Sequence, residues 1–422
     1  MSKTIKYFLL ILPAILFLTD LQAQNNTYSP YSRFGIGNIT KEGFGRNQAL
    51  GGIGIGLRDP NHLNYLNPAS NSAQDTMSFI FSTGVAGNAM QLASSESSHN
   101  VSNITLSHLA IGFPISHWWK TSLGLVPYSQ MGYDIVGEDR NLGVEYFHEG
   151  SGGINQFFLG NAFNLTQNIS AGISVSYMFG SLNQSRRLVF PAQENIFSVN
   201  SRSRNTVGDF HIRYGLQYTN RIMEDYTYTI GVIYENKTSL NTEQELLTVN
   251  ELLTSAGLVR DTVPGDFITN NHIDLPAHYG IGASFRTDNN FLIGADYSFR
   301  QWSETSFLNQ SSESLVNSSS FNIGAQYIPD PADFQSYLRR IHYRMGFHYS
   351  DTYLQLRGHQ LKDYGITLGM GLPYRNAKTT FNFAVDLGRR GTTDLNLIEE
   401  NYIRFNFSLS LYDFWFFQRR ID

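Results

Sequence analysis

The stretch Tyr402-Ile-Arg-Phe-Asn-Phe-Ser-Leu-Ser-Leu411 decides the fold. Ile403, Phe405, Phe407, Leu409 and Leu411 alternate with Tyr402, Arg404, Asn406, Ser408 and Ser410, a period of two that only a β-strand places on two opposite faces. The same alternation runs through 207–219, where Phe210, Ile212, Tyr214, Leu216 and Tyr218 face away from Asp209, His211, Arg213 and Gln217, and through 169–180, 291–300 and 338–350. A soluble sandwich also alternates, but its polar outer face carries many Lys and Glu. Here the polar face holds Gly, Ser, Asn and isolated charges, as the lumen side of a membrane barrel does.

Composition agrees. Of 422 residues only 15% are charged, against roughly 25% in an ordinary globular protein, while aromatics reach 14% with 30 Phe and 24 Tyr. There is no Cys, which excludes disulfides, Cys-ligated zinc, iron–sulfur clusters and a lipidated N-terminal Cys. A formal charge of −5 gives no electrostatic ground for nucleic acid as a partner. Lys3 and Lys6, the apolar run Phe8 to Leu18, and Leu21-Gln-Ala23 read as a signal peptide over 1–23, since a spanning helix needs ~20 apolar residues.

The alternation predicts an all-β fold: a fourteen-stranded antiparallel transmembrane β-barrel over 76–422, with strands near 76–87, 102–114, 119–134, 154–165, 168–182, 205–220, 225–239, 275–287, 289–303, 319–328, 338–350, 362–373, 377–389 and 401–416. Twelve or sixteen strands fit within boundary error. Short connections after even strands and long ones after odd strands put both termini on the periplasmic side of a bacterial outer membrane. Trp415, Phe416 and Phe417 read as girdle aromatics or as ordinary sheet aromatics.

Residues 24–75 do not alternate and read as a plug inside the barrel. They contain Arg46-Asn-Gln-Ala-Leu-Gly-Gly-Ile-Gly54 and Asn67-Pro-Ala69. The glycine run is no phosphate loop, because no strand–helix unit or Lys-Ser/Thr follows it. Arg-x-x-Ala-x-Gly-Gly-x-Gly followed by Asn-Pro-Ala ahead of the first strand resembles the hatch of the FadL/OmpP1 family, in a divergent branch. The pattern falls on Arg46, Ala49, Gly51, Gly52, Gly54, Asn67, Pro68 and Ala69. The resemblance implies an outer-membrane channel for passive uptake of small hydrophobic, fatty-acid-like compounds, with lateral exit where the third strand kinks.

Pro127, with Gly132 downstream, marks such a kink or a bulge without transport. In 240–274, Thr242-Glu-Gln-Glu245 reads as a capping box, and Leu246, Val249, Leu253 and Ala256 follow at helical spacing. They form a capture helix or one packed on neighbouring loops. Asp209, His211, Arg213, Glu235, Asp296, Arg300, His342, Arg344, His348, Asp386 and Arg404 fall on lumen faces, where isolated charges pair with each other and with the plug. Arg46 is expected either to reach Asp209, Glu235, Asp296 or Asp386 on the wall or to lie solvated at the mouth. No nucleophile–base pair, metal set or cofactor motif emerges, so the chain reads as no enzyme. Its partners are outer-membrane lipids and lipopolysaccharide, and a hydrophobic ligand. The second reading is a non-transporting barrel subunit of an assembly or secretion complex, with outer-membrane protein or lipoprotein partners.

Overall fold

The computed structural model describes residues 27–139, 143–190, 197–222, 225–254, 257–262, 267–287, 290–308, 310–311, 315–333, 335–374 and 378–414. Trp415 to Phe417 lie outside them, as do Ala256 and the segment read as a signal peptide. Fourteen strands form the wall: β1 Ser78–Ala93, β2 Ser98–Pro114, β3 Trp119–Asp139, β4 Val144–Asn164, β5 Ile169–Val189, β6 Ser198–Ile222, β7 Tyr226–Glu235, β8 His278–Thr287, β9 Phe291–Arg300, β10 Ser318–Tyr327, β11 His342–Leu356, β12 His359–Tyr374, β13 Thr379–Gly391 and β14 Glu399–Phe414. Each pairs antiparallel with the next, and β14 returns to β1 from Ser78↔Phe414 to Ala93↔Glu399, which closes a transmembrane β-barrel. No helix of the described residues is long and apolar enough to cross a membrane.

The wall follows from alternation. Ile403, Phe405 and Phe407 are 42%, 51% and 40% exposed, whereas Asn406, Ser408 and Ser410 between them are buried. In a soluble protein such a belt would be an aggregation patch; around a barrel it is the lipid-facing surface. Strands β3, β4 and β5 run 21 residues and β6 runs 25. Crossing a bilayer takes ~9–11, so the surplus rises past the membrane at the end opposite Ser78 and Phe414, called here the hairpin end.

Two expectations fail there. The segment 240–274 is no helix: it forms strands Thr238–Thr254, Gly257–Thr262 and Phe267–Leu275. Leu240 and Thr242 are buried while Asn241 and Glu243 are exposed, so Leu246, Val249 and Leu253 belong to a strand. A helix cap contributes about 1 kcal/mol. It loses to ten ladder pairs with β6 on one edge and nine with Phe267–Leu275 on the other. The alternation of connection lengths also breaks down. After β10 the connection 328–341 is long, and after β11 only Arg357-Gly358 intervene, both with positive φ as a tight hairpin turn requires. The excess chain at the hairpin end is spent on longer strands rather than on loops.

Candidate functional site: a filled lumen beside a breach in the wall

Residues 27–75 thread the barrel as short pieces, Pro30–Arg33, Asn38–Ile39, Gly45–Ala49 and Pro68–Ala73. Their backbone lies directly on the wall. Gly51 has φ +71°, and a Cβ there would sit 2.6 Å from the Ile323 carbonyl oxygen and 2.9 Å from the Phe347 nitrogen, so only glycine fits. Asp296 on β9 accepts hydrogen bonds from the Gly54 and Ile55 nitrogens at 2.6 and 2.8 Å. Gln217 on β6 donates to the carbonyls of Ile55 and Leu57. The Asn67 side chain donates to Ile55 and accepts from the Ala69 nitrogen, capping the Pro68–Ala73 turn. Ala49, fully buried, packs against Gly369.

Charge bolts the same segment down. Glu42 bridges Arg213 on β6 at 3.1 Å and Arg300 on β9 at 2.7 Å. Arg213 also pairs with Glu235, which His211 and His278 approach at 2.8 and 3.0 Å. Lys41 contacts Asp386 at 2.6 Å, and His348 and Arg404 reach the same carboxylate at 2.9 and 3.7 Å. Burial pushes the Glu42 carboxyl up, but Arg213 and Arg300 beside it pull further, leaving it below the usual carboxylate range. Arg213, Glu235, His211, His278, His348 and Asp386 are buried, so removing a partner from one of them strands a desolvated group.

Arg46 departs from expectation. It neither tethers to the wall nor lies in solvent: it is buried and pairs at 2.8 Å with Asp59 of its own segment, to which His62 also turns. Burial raises the Asp59 carboxyl, and Arg46 and His62 more than offset it, so it lies well below its ordinary value. The bond therefore braces the segment internally, and the wall carboxylates serve Lys41, Arg213 and the Gly54–Ile55 backbone instead. Arg344 donates to Gln326 and Asn382 and lies 3.3 Å from His342. Asp209 is remote from all of this and accepts from Asn241 at the hairpin end. Lys41, Glu42, Asp59, His62 and His278 escaped sequence reasoning, the first four because their stretch has no periodicity to assign a face.

Among the described residues the wall is complete except at one seam. β3 and β4 share twenty pairs, whereas β2 and β3 share six, from Pro114↔Lys120 to Leu109↔Leu125. Both strands are irregular where they part: the β1–β2 register shifts at Gly84/Val85, and the β3–β4 register shifts at Pro127/Ser129. Beyond that point the N-terminal segment takes the β3 edge. Asn38 and Ile39 pair antiparallel with Gln130 and Ser129, Thr40 donates to the Tyr128 carbonyl, and Ser32 bonds both backbone groups of Gly132. Cavities of about 160 and 210 Å³ flank residues 39–42 and are lined by Lys41, Glu42, Asp386 and Arg390. A larger one of about 700 Å³ lies at the hairpin end among Tyr133, Glu149, Arg202 and Leu246.

The closed antiparallel barrel of fourteen strands matches, as a fold, solved outer-membrane channels. The Ralstonia pickettii toluene transporter TbuX superposes with a TM-score of 0.59 at 15% identity, over 87% of this chain and 97% of that one. The Pseudomonas putida toluene transporter TodX gives 0.60 at 13% identity, over 90% and 98%. A Pseudomonas aeruginosa FadL homologue gives 0.57 at 13%, over 89% and 99%. At such identities the likeness establishes the fold. The BamG family model matches residues 1–422, and the chain belongs to the BamG family. No curated protein sequence matches it.

Proposed function

We propose that the chain is a plugged, non-transporting barrel that serves as a structural subunit of an outer-membrane protein-assembly or secretion complex, with both termini periplasmic and the long hairpins outside. One observation carries this reading: residues 27–75 are fastened to the lumen wall by ion pairs, with Glu42 held between the buried Arg213 and Arg300 and Lys41 on the buried Asp386. A hydrophobic compound crossing that lumen would have to pass charged cavities of about 160 and 210 Å³, where desolvated polar groups offer it nothing. The tall hairpin-end extension, built from β3 to β6 and the strands Thr238–Thr254 and Phe267–Leu275, adds surface that a simple channel does not need.

Passive uptake of a small hydrophobic compound with lateral exit is the second reading, favoured by the parted β2–β3 seam beside Pro127. Isolation from membranes in mild detergent, with mass spectrometry of proteins and lipids, separates the two. A stoichiometric barrel or lipoprotein partner supports the subunit. A lone monomer carrying a hydrophobic ligand supports the channel.

A further inference from the structure

The cavity of about 700 Å³ at the hairpin end takes most of its lining from the outer face of the sheet, not from the lumen face. On β6 the lipid-facing Phe210, Tyr214 and Leu216 are exposed and His211, Arg213 and Gln217 are buried inside. By the same alternation Arg202 and Arg204 point outward. The ladder carries that face across the neighbouring strands: Arg204 pairs with Asn183 and Glu245, Arg202 pairs with Ser185, and Ser185 pairs with Glu149. The hollow lies where two strands depart from regular geometry. Gly152 in β4 and Gly180 in β5 have φ of +108° and +150°, and a Cβ at either would run into a carbonyl oxygen of the other strand. A glycine inside a strand marks such a bend or the close approach of another group. Arg204 lies six residues beyond the lipid-facing Phe210, as Asn183 does beyond Tyr177, which is about 20 Å along the strand at ~3.3 Å per residue. The cavity therefore stands above the acyl chains and opens sideways over the membrane.

Its side chains are not closed on one another as those of the lumen are. Arg202, Arg204, Glu149, Glu245, Asn183 and Ser185 make no side-chain hydrogen bond or ion pair among the described residues, and Arg204 and Glu245 do not join although they are ladder partners. We propose that this cavity binds the saccharide part of the glycolipid that surrounds the barrel in the outer leaflet. An apolar compound would strip water from these charges without replacing it, and a simple ion would meet charges of both signs. A saccharide hydroxyl both donates and accepts, so one sugar chain can accept from Arg202, Arg204 and Asn183 while donating to Glu149 and Glu245. Leu247 and Ile268 at one end offer an apolar strip to the C–H face of a ring. The volume falls in the range of about 300–1,000 Å³ of ligand sites. A protein segment would anchor on aromatic or apolar pockets at the centre, where this cavity has Ser and Asn. Position selects the source, because an outward opening just above the acyl chains faces the sugars of lipopolysaccharide. The inference uses only one part of the proposed function, the placement of the hairpin end outside.

The test titrates the purified full chain, stripped of lipopolysaccharide, with the deacylated saccharide of the host membrane's lipopolysaccharide, and separately with maltoheptaose. The inference expects saturable binding of the first and none of the second. Arg204→Ala with Asn183→Ala should weaken binding by at least about tenfold, the scale of a lost hydrogen bond to a charged group. Ser185→Trp, which fills the floor, should abolish binding. Thr206→Trp, on the same face but outside the cavity, should leave it unchanged, and heat-modifiable migration shows that each variant is folded. No binding by the native chain, equal binding of maltoheptaose, or unchanged binding by Ser185→Trp overturns the inference. Because the chain has no native cysteine, Ser185→Cys also reports placement through an impermeant thiol reagent. Labelling only after lysis overturns the external placement and this inference with it. Labelling on intact cells without saccharide binding sinks this inference alone and leaves the proposed function standing.

Discussion

The barrel closes twice, and its two closures differ. Between β14 and β1 the ladder runs sixteen pairs, from Ser78↔Phe414 to Ala93↔Glu399, with alternating aromatics outside and Ser and Asn inside. Between β2 and β3 it runs six pairs and then parts, with register shifts at Gly84/Val85 and Pro127/Ser129. The first seam needs nothing beyond its own two strands. The second exists because residues 32–40 of the N-terminal segment occupy the β3 edge, so integrity of the wall there and filling of the lumen are one structural problem.

The comparison breaks most severely if the segment is unfastened. Glu42→Ala leaves the half-buried Arg300 without its carboxylate and the buried Arg213 with Glu235 alone, a loss of up to about 3–5 kcal/mol, the scale of a broken buried pair. Residues 27–75 should become protease-sensitive in the folded barrel, while heat-modifiable migration on gels shows whether the wall persists. Retained protection would mean that the ion pairs do not hold the segment.

A belt substitution comes next. Phe405→Arg on the complete seam should impair membrane assembly, by less than the ~2–4 kcal/mol of a cation at mid-bilayer because it sits towards the rim of the belt. Ile104→Arg at the same height should be tolerated better, because its side chain can bend into the parted seam. Equal assembly yields for the two variants would show that the seams are equally closed.

Arg46→Ala should loosen the segment less than Glu42→Ala. It removes an internal brace to Asp59 rather than an anchor to the wall, and proteolysis should cut near residues 46–62 before it reaches 38–42.

The smallest effect is in pH. Glu42 and Asp59 are both held below their ordinary values, which lie near about 4. Their pairs contribute stability that is present above the unfolded values and is lost only as pH falls through the lower folded ones. Protease resistance of the segment should be the same at pH 7 and pH 5, and should fall only in stronger acid.

Most of the wall was legible in the sequence because membrane strands state their faces residue by residue: all fourteen strands fall where Ile403 to Leu411 and its counterparts alternate. What was illegible depended on distant partners. Thr242-Glu-Gln-Glu245 looks helical over a single turn, and only the β6 edge beside it makes it a strand. Arg46 has its carboxylate thirteen residues on, at Asp59, where a search along the strand faces does not look. Glu42 meets Arg213 and Arg300 across more than 170 residues, and nothing local marks it as the centre of the lumen network. Pro127 was visible as a disturbance in the third strand, but not that the N-terminal segment would lie along the edge beside it.

The central claim, that the lumen is filled and stays filled, is tested most directly by flux through the purified full chain in lipid vesicles. The account predicts that vesicles carrying the native chain show neither ion conductance nor accelerated entry of toluene, whereas the Glu42→Ala chain shows conductance. Steady conductance or accelerated toluene entry through the native chain would contradict it.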